Sequence, residues 1–322
     1  MSWISSLIKR TAHGRALLTE IDRLKAERQE LKNSLKAARD DIKVMRAREG
    51  YPALAALTYA GQMRAALDEL SDSPDLQARI PGLKDIAARV NLTVCDRDIM
   101  LKKSTTQHYL GTGLSALDSI FTACPEIAAR PPQKILDFGC GYGRVLRMLK
   151  AAWPHSVTFA CDVAPDGLAF CMEHFDVTGF RSQIRPHAVP LAHGFDLIWV
   201  GSLITHLNED SIMGFISLFR HLLEPGGRMV FTTHGDYVIE RLQEGQFHYD
   251  LTPDQQKRII QGYTASGYAY QDYVKSPGYG VSATSSSWLR PRVEALGRLR
   301  YVAHLPRYWD NHQDVWCFQM EG

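Results

Sequence analysis

Apolar positions recur at alternating steps of four and three through Leu17, Ile21, Leu24, Arg28, Leu31, Leu35, Ala38, Ile42 and Met45, with the cation Arg28 interrupting the series. This is the a/d seam of a coiled coil, with d at Leu17, Leu24, Leu31, Ala38 and Met45. Acids at g and bases at e suit a parallel homodimer, pairing Glu20–Lys25′, Glu27–Lys32′ and Asp41–Arg46′ across the seam. Arg28 extends its stem outward from such a seam. Residues 1–50 are therefore expected to form an amphipathic start and a coiled-coil helix. The start, Met1 to Arg10, sets Trp3, Ile4, Leu7 and Ile8 before Lys9 and Arg10, a pattern suited to a partner or to peripheral membrane contact.

From residue 51 to 129 the pattern stays helical, with breaks at Pro52, Ser73-Pro74 and Pro81-Gly82. Helices are predicted over Ala53 to Leu70, Ile80 to Val90 and Leu114 to Cys124, the last preceded by His108-Tyr109-Leu110-Gly111-Thr112-Gly113. Beyond residue 130 short buried runs replace the helical period. Ile135-Leu136, Ser156 to Asp162, Phe195 to Val200 and Met229 to Phe231 read as core strands with helical stretches between them. Strands alternating with helices predict an α/β fold with a doubly wound, mostly parallel sheet. A Leu222-Leu223-Glu224-Pro225-Gly226-Gly227 turn is expected to end a helix before the strand at Met229.

The junction after the first strand carries the chemistry. Ile135-Leu136-Asp137-Phe138-Gly139-Cys140-Gly141-Tyr142-Gly143-Arg144 places an acid at a strand end and glycines at every second position before a helix with Val145, Leu146 and Leu149. Such glycines admit positive φ and let a ligand press on the main chain, at the carboxyl end of a strand where open α/β sheets bind ligands. The spacing is D-x-G-x-G-x-G, not the G-x-G-x-x-G of a dinucleotide site. A second acid, Asp162, ends the next strand, where a carboxylate accepts both ribose hydroxyls.

Asp137 with its three glycines, Asp162, the Phe195 to Val200 strand and the L-x-P-G-G turn, in this order, resemble motifs I, II, IV and post-IV of the class I S-adenosylmethionine-dependent methyltransferases, across roughly Arg130 to Gly322. The resemblance implies a Rossmann-like seven-stranded sheet and S-adenosyl-L-methionine as cofactor. It implies cofactor contacts from Asp137, Gly139, Cys140, Gly141, Tyr142, Gly143, Asp162, Val163 and Gly201. It also implies a lid before the first strand, to which His108 and Tyr109 are candidates, and an acceptor pocket built by the tyrosine-rich insert 236–287. The usual acid near the adenine amino group is missing from Ile184-Arg185-Pro186-His187-Ala188-Val189-Pro190.

Transfer to a hydroxyl needs a base and exclusion of water. His206 and His234 follow two strand ends and are the candidate catalytic residues; no metal site is read. Asp310, His312 and Asp314 form a further polar cluster, expected in a hairpin turn. The strand before it is expected over Leu299 to His304. The Phe195 to Val200 strand runs into Gly201-Ser202-Leu203, without the [DN]-P-P-[YF] of adenine or glutamine N-methylation and without a Pro-Cys nucleophile there, and no H-E-x-x-H or G-x-S-x-G occurs. The reading is methyl transfer to a hydroxyl of a glycan or small-molecule acceptor; the alternative is a non-catalytic scaffold of the same fold.

Composition adds limits. The chain of 322 residues, 45% hydrophobic, can bury a large core, and a net charge of +2 argues against nucleic acid as partner. Six scattered cysteines without C-x-x-C pairs suit reduced thiols in a cytoplasmic protein.

Overall fold

The computed structural model describes residues 53–183 and 194–322. The heptad seam, the apolar start and the segment Ile184 to Pro190 lie outside the described residues. The described residues begin with helices α1 (Ala53–Ser71), α2 (Pro74–Arg79), α3 (Leu83–Arg89), α4 (Ile99–Lys102) and α5 (Thr106–Ala123). Local chemistry sets their starts. The Ser73 side chain accepts from Leu76 N ahead of Pro74, and Thr105 accepts from His108 N at the head of α5. α5 therefore begins at Thr106, and the glycines at 111 and 113, expected to precede the helix, lie inside it. Gly113 is needed there: a Cβ would stand 2.7 Å from the Arg144 carbonyl, so glycine lets α5 press on the turn after the first strand.

The sheet follows as β1 (Lys134–Phe138), α6 (Leu146–Ala152), β2 (Val157–Asp162), α7 (Pro165–His174), β3 (Thr178–Arg181), β4 (Phe195–Val200), α8 (Glu209–Leu222) and β5 (Leu223–Thr233). Next come α9 (Asp236–Gln243), α10 (Pro253–Ser266), β6 (Tyr268–Tyr273), β7 (Ser276–Thr284), α11 (Ser286–Glu294), β8 (Leu299–Trp309) and β9 (Gln313–Met320). Seven strands lie in the order β3-β2-β1-β4-β5-β9-β8. β1 to β5 pair in parallel, and β9 runs antiparallel to both β5 and β8. The strand order reverses between β1 and β4, which opens a crevice at their carboxyl ends.

Alternation along the strands feeds two cores. Ile135, Leu197, Trp199, Val230 and Val315 face the layer containing α3, α5 and α6. Leu136, Phe138, Ile198, Val200, Phe231 and Trp316 face α8 and α11. Both faces are covered, as parallel sheets require. Two strand boundaries differ from expectation. The Pro225-Gly226-Gly227 turn is absorbed into β5 as an irregularity, with Phe195 opposite Leu223 but Leu197 opposite Arg228 and Gly226 at φ +85°. β8 runs on to Trp309 rather than stopping at His304, because β9 supplies a partner along its length despite register shifts.

The insert folds as α9, α10 and the antiparallel pair β6–β7, with its own core of Val238, Ile239, Ile259, Val281 and Ala283. It is tied to the ends of β4 and β5: Ser282 Oγ donates to Ile204 O at 2.8 Å, and Thr284 N donates to His234 O at 2.8 Å.

Candidate active site

A cavity of about 480 Å³ opens at the carboxyl ends of β1, β2 and β4. Asp137, Gly139, Cys140, Gly141, Tyr142, Asp162, Val163, Gly201 and His206 line it. Gly143 and His234 do not. At Gly143, φ +81° and a Phe175 ring 2.5 Å from the Cβ position show a glycine required by packing behind the loop.

The loop after β1 stays zipped to β2 beyond the strand end, with Gly139 N and Cys140 N both donating to Cys161 O at 2.7 and 3.1 Å. Gly141 then turns at φ +52°, and its Cβ position meets nothing within 4 Å. Its N–H donates to Asp162 Oδ2 at 2.7 Å, and Ala164 N donates to Oδ1 at 2.7 Å. The Asp162 carboxylate is therefore fixed by backbone donors at the cavity wall, with its remaining lone pairs available to hydroxyls. Burial raises its pKa against the opposing pull of those amides.

Asp137 is 2% exposed; the Leu146 amide serves its carboxylate while Oδ2 is buried without a partner. Burial and the neighbouring Asp162 push its pKa up to about 8. Between about pH 4 and about pH 8 the folded carboxyl keeps its proton while the unfolded one ionises. Unfolding then releases a proton, so the ligand-free protein is expected to lose stability as pH rises across that window. Melting temperatures over this range should fall for the wild type and flatten for Asp137→Asn; parallel curves would remove Asp137 as the cause.

His206 sits in the 3₁₀ turn Ile204–His206 after β4. Its Nδ1 lies 2.7 Å from Gly280 O of β7, and a carbonyl accepts only, so Nδ1 carries the proton and Nε2 a lone pair. Burial lowers its pKa, opposed by that carbonyl, and keeps the ring neutral at pH 7. The Tyr279 ring stacks on it with centroids 4.7 Å apart. His234 is 4% exposed and turned into the insert: Nδ1 meets Ser282 O at 3.1 Å, and burial, reinforced by His206 and His312, brings its pKa down to about 3. His234→Ala is expected to lower the melting temperature through the lost β5–β7 tie and to leave cofactor affinity within about twofold, since it touches no cavity wall. Impaired cofactor binding in a fully folded variant would contradict this.

Other expected groups fall apart in space. Tyr109 is fully buried, with its hydroxyl donating to Asp98 Oδ2 at 2.7 Å, so it belongs to the core and not to a lid. His108 pairs instead with Asp310, at 3.0 Å. His312 meets the Tyr249 hydroxyl at 3.1 Å and Asp314 meets His304 at 2.9 Å, so the expected polar cluster is divided among three partners. Of the insert tyrosines, Tyr279 lines the cavity, whereas Tyr268 stacks on Trp288 and the Tyr263 hydroxyl donates to Asp236. All six cysteines are buried thiols outside any disulfide. Among the described residues no His/Cys/Asp/Glu group suits a metal ion, and no helix is long and apolar enough to cross a membrane.

The seven-stranded order with a reversed last strand and a glycine loop facing two strand-end acids defines the class I methyltransferase architecture. Residues 135–227 match a family model described as a methyltransferase domain, so the chain carries a methyltransferase domain of this S-adenosylmethionine-dependent class. A malonyl-[acyl-carrier protein] O-methyltransferase of Methylococcus capsulatus is 30% identical over 116 residues, covering 35% of this chain and 42% of that protein. The protein of the same description from Hahella chejuensis is 27% identical over 103 residues, covering 32% and 37%. The matches thus span about two fifths of these relatives' length. A solved S-adenosylmethionine-dependent methyltransferase from Clostridium acetobutylicum is 14% identical, covers 69% of this chain and 95% of its own, and superposes with a TM-score of 0.46.

Several cavity residues carry no signal in the sequence. Asp98 caps the start of α4, Met100 lies within α4, and Trp309 arrives from the end of β8. Arg144 also lines the wall, adjacent to the glycine run itself. Ser202 turns into the cavity at φ +58°, held by Thr232 Oγ1 on its N–H at 2.8 Å and by Gln313 Nε2 on its hydroxyl at 3.0 Å. Strained backbone of this kind is invisible in composition.

Proposed function

We propose that this protein transfers the methyl group of S-adenosylmethionine to a hydroxyl oxygen of a glycan or small-molecule acceptor. The observation that carries the reading is His206: a neutral, buried imidazole at the cavity wall whose Nδ1 proton is committed to Gly280 O, leaving Nε2 free to take an acceptor proton.

The residues present fit the cofactor. Asp137 Oδ2 is a buried carboxyl oxygen without a partner, and an ammonium beside it would favour its ionised form; Asp162 is fixed with lone pairs for vicinal hydroxyls, and the space over Gly141 is open. Asp137, the Gly139 to Tyr142 loop, Asp162, Val163 and Gly201 are the proposed holding residues; Gly143 supports the loop from behind. When bound, the cofactor supplies a methyl on a sulfonium, already activated. The chain's own groups then orient the acceptor, exclude water and remove its proton. The mostly apolar wall from Leu203, Leu207, Phe215 and Tyr279 favours that exclusion.

The two relatives are described as O-methyltransferases, which supports oxygen as the accepting atom. A carboxylate needs no base and would face the Nε2 lone pair of His206 unfavourably, which favours a hydroxyl. Assembly as a homodimer through the seam at 17–45 and a cytoplasmic location complete the reading.

Calorimetric titration with S-adenosylmethionine and S-adenosylhomocysteine, beside a nicotinamide dinucleotide, tests it. Saturable binding of the sulfur nucleosides alone is expected, with Asp162→Ala weakened by about 1–3 kcal/mol for the lost charge-assisted hydrogen bonds. Folded wild-type protein that binds neither nucleoside would leave a scaffold of the same fold as the better description.

A further inference from the structure

Two short projections border the cavity: α4 with its cap, which supplies Asp98 and Met100, and the tip of the β6–β7 hairpin, which supplies Pro277, Gly278 and Tyr279. Both carry large apolar side chains into solvent. Ile99 is 55% exposed, Met100 49% and Val274 70%, and Tyr279 is exposed beside Gly278. Val163 on the same cavity is exposed too, and elsewhere among the described residues only Val157 and Phe247 are comparable. Exposed apolar side chains scattered singly are ordinary, whereas a group of them around one opening marks a contact surface. A bound donor and acceptor would cover Met100, Val163 and Tyr279, which line the cavity. They would leave Ile99 and Val274, which do not line it.

Bases accompany these two residues. Lys102 and Lys103 stand three and four positions after Ile99, on the same face of the turn, and both are exposed. Lys275 follows Val274 at the hairpin tip and is exposed as well. None of the three lysines pairs with an acid among the described residues. The acids nearby are mostly spent elsewhere. Asp98 turns inward and accepts from Met100 N, Leu101 N and the Tyr109 hydroxyl. Asp272 accepts from Gly278 N and the Tyr270 hydroxyl, and Asp166 pairs with Arg97. Asp96 stays exposed, so unpaired bases outnumber unpaired acids on this rim.

Resting on the methyltransferase reading above, we propose that the cavity mouth docks on an anionic phospholipid bilayer and takes its acceptor hydroxyl from a lipid-borne molecule there. Charge and shape choose this occupant. The apolar groups stand on two separate tips beside an opening, which suits insertion into a fluid apolar layer. The lysines next to them keep their ammoniums at the level of lipid phosphates while their stems lie along the apolar boundary. The contact is peripheral, since no helix among the described residues is long and apolar enough to cross a membrane. The opening that meets the bilayer is the one that leads to His206.

Flotation of the full chain with vesicles tests this without an acceptor. One set of vesicles is phosphatidylcholine with about one third phosphatidylglycerol; the other is phosphatidylcholine alone. The wild type is expected to float with the anionic set, more weakly with the neutral one, and less at high salt. The double variant Ile99→Ser with Val274→Ser is expected to lower partition by about tenfold or more. Lys102→Gln, Lys103→Gln and Lys275→Gln together should do the same, at about fivefold per lysine. None of these five side chains lines the cavity, so each variant should keep wild-type affinity for S-adenosylhomocysteine. Trp3→Ser with Ile4→Ser serves as the comparison, because the apolar start of the sequence is the competing source of membrane contact. Flotation that falls in that variant but not in the rim variants overturns the proposal. Wild-type protein that binds the nucleoside and ignores anionic vesicles overturns it as well and leaves the methyltransferase reading standing; if the rim variants also lower its oligomeric mass, a second copy occupies the rim instead. Wild-type protein that floats through the rim but does not bind the nucleoside overturns the methyltransferase reading and supports the docking surface alone.

Discussion

A His206→Ala variant is expected to turn over about 10²- to 10⁴-fold more slowly, the usual contribution of a positioned base, while binding S-adenosylhomocysteine as the wild type does. The separation follows from the geometry. His206 lies on the wall formed by the β4 turn and β7, and the glycine loop with Asp162 forms another. The direction of the imidazole is fixed by the Gly280 carbonyl, so loss of the ring removes a proton acceptor that water at that position does not replace with the same basicity. The pH profile gives an independent readout. Burial lowers the His206 pKa, so the acid limb of kcat is expected to fall below the ordinary histidine range and to vanish in the variant. His206→Gln, which keeps a donor toward Gly280, separates the base from the tie: a glutamine variant with normal turnover would leave alignment alone as the source of rate. Activity is read with the acceptor that the wild type methylates.

The fold was legible where a local rule forced it. Asp137, the alternating glycines and Asp162 occupy a strand end, a turn and the next strand end, where positive φ at the glycines and the Gly141–Asp162 bond restrict residue type. The strands were read from runs such as Phe195 to Val200, whose burial on both faces leaves no polar alternation. Legibility failed where tertiary contacts overrode local signals. Gly111 and Gly113 are expected to precede a helix from Leu114, yet α5 runs through them, and the close approach of the Arg144 carbonyl needs glycine at 113. Pro225-Gly226-Gly227 read as a turn, yet β4 and β5 accommodate it by shifting register. His206 and His234 occupy equivalent places in the sequence, each a few residues past a core strand. Only the packing of β7 distinguishes them: its Gly280 and Ser282 carbonyls each meet one Nδ1, while the insert covers His234 and leaves His206 at the cavity. Trp309 and Asp98 are brought to the cavity from opposite ends of the domain, which no sequence window connects.

A Gly141→Val variant is expected to lose S-adenosylhomocysteine affinity by more than about a hundredfold and to remain folded. Two separate costs act at that residue. Backbone at φ +52° costs an L-residue about 1–2 kcal/mol, and more with a β-branch. The chain can relieve this by turning away, but that breaks the 2.7 Å bond from Gly141 N to Asp162 Oδ2 and frees the carboxylate proposed to hold the ribose. If the turn holds, the valine methyls extend from a Cβ position with nothing within 4 Å, which is the volume the donor would fill. Either route removes binding, so the effect does not depend on which one the loop takes. Gly141→Ala distinguishes them: a small loss from the single methyl would show that the space above the loop governs, whereas a loss close to that of valine would show that the backbone conformation does. Asp162→Asn adds the complementary measurement, keeping an acceptor for the Gly141 amide while removing the charge. Wild-type affinity in Gly141→Val would mean that the donor does not lie against this loop, and the D-x-G-x-G-x-G assignment would fall with it.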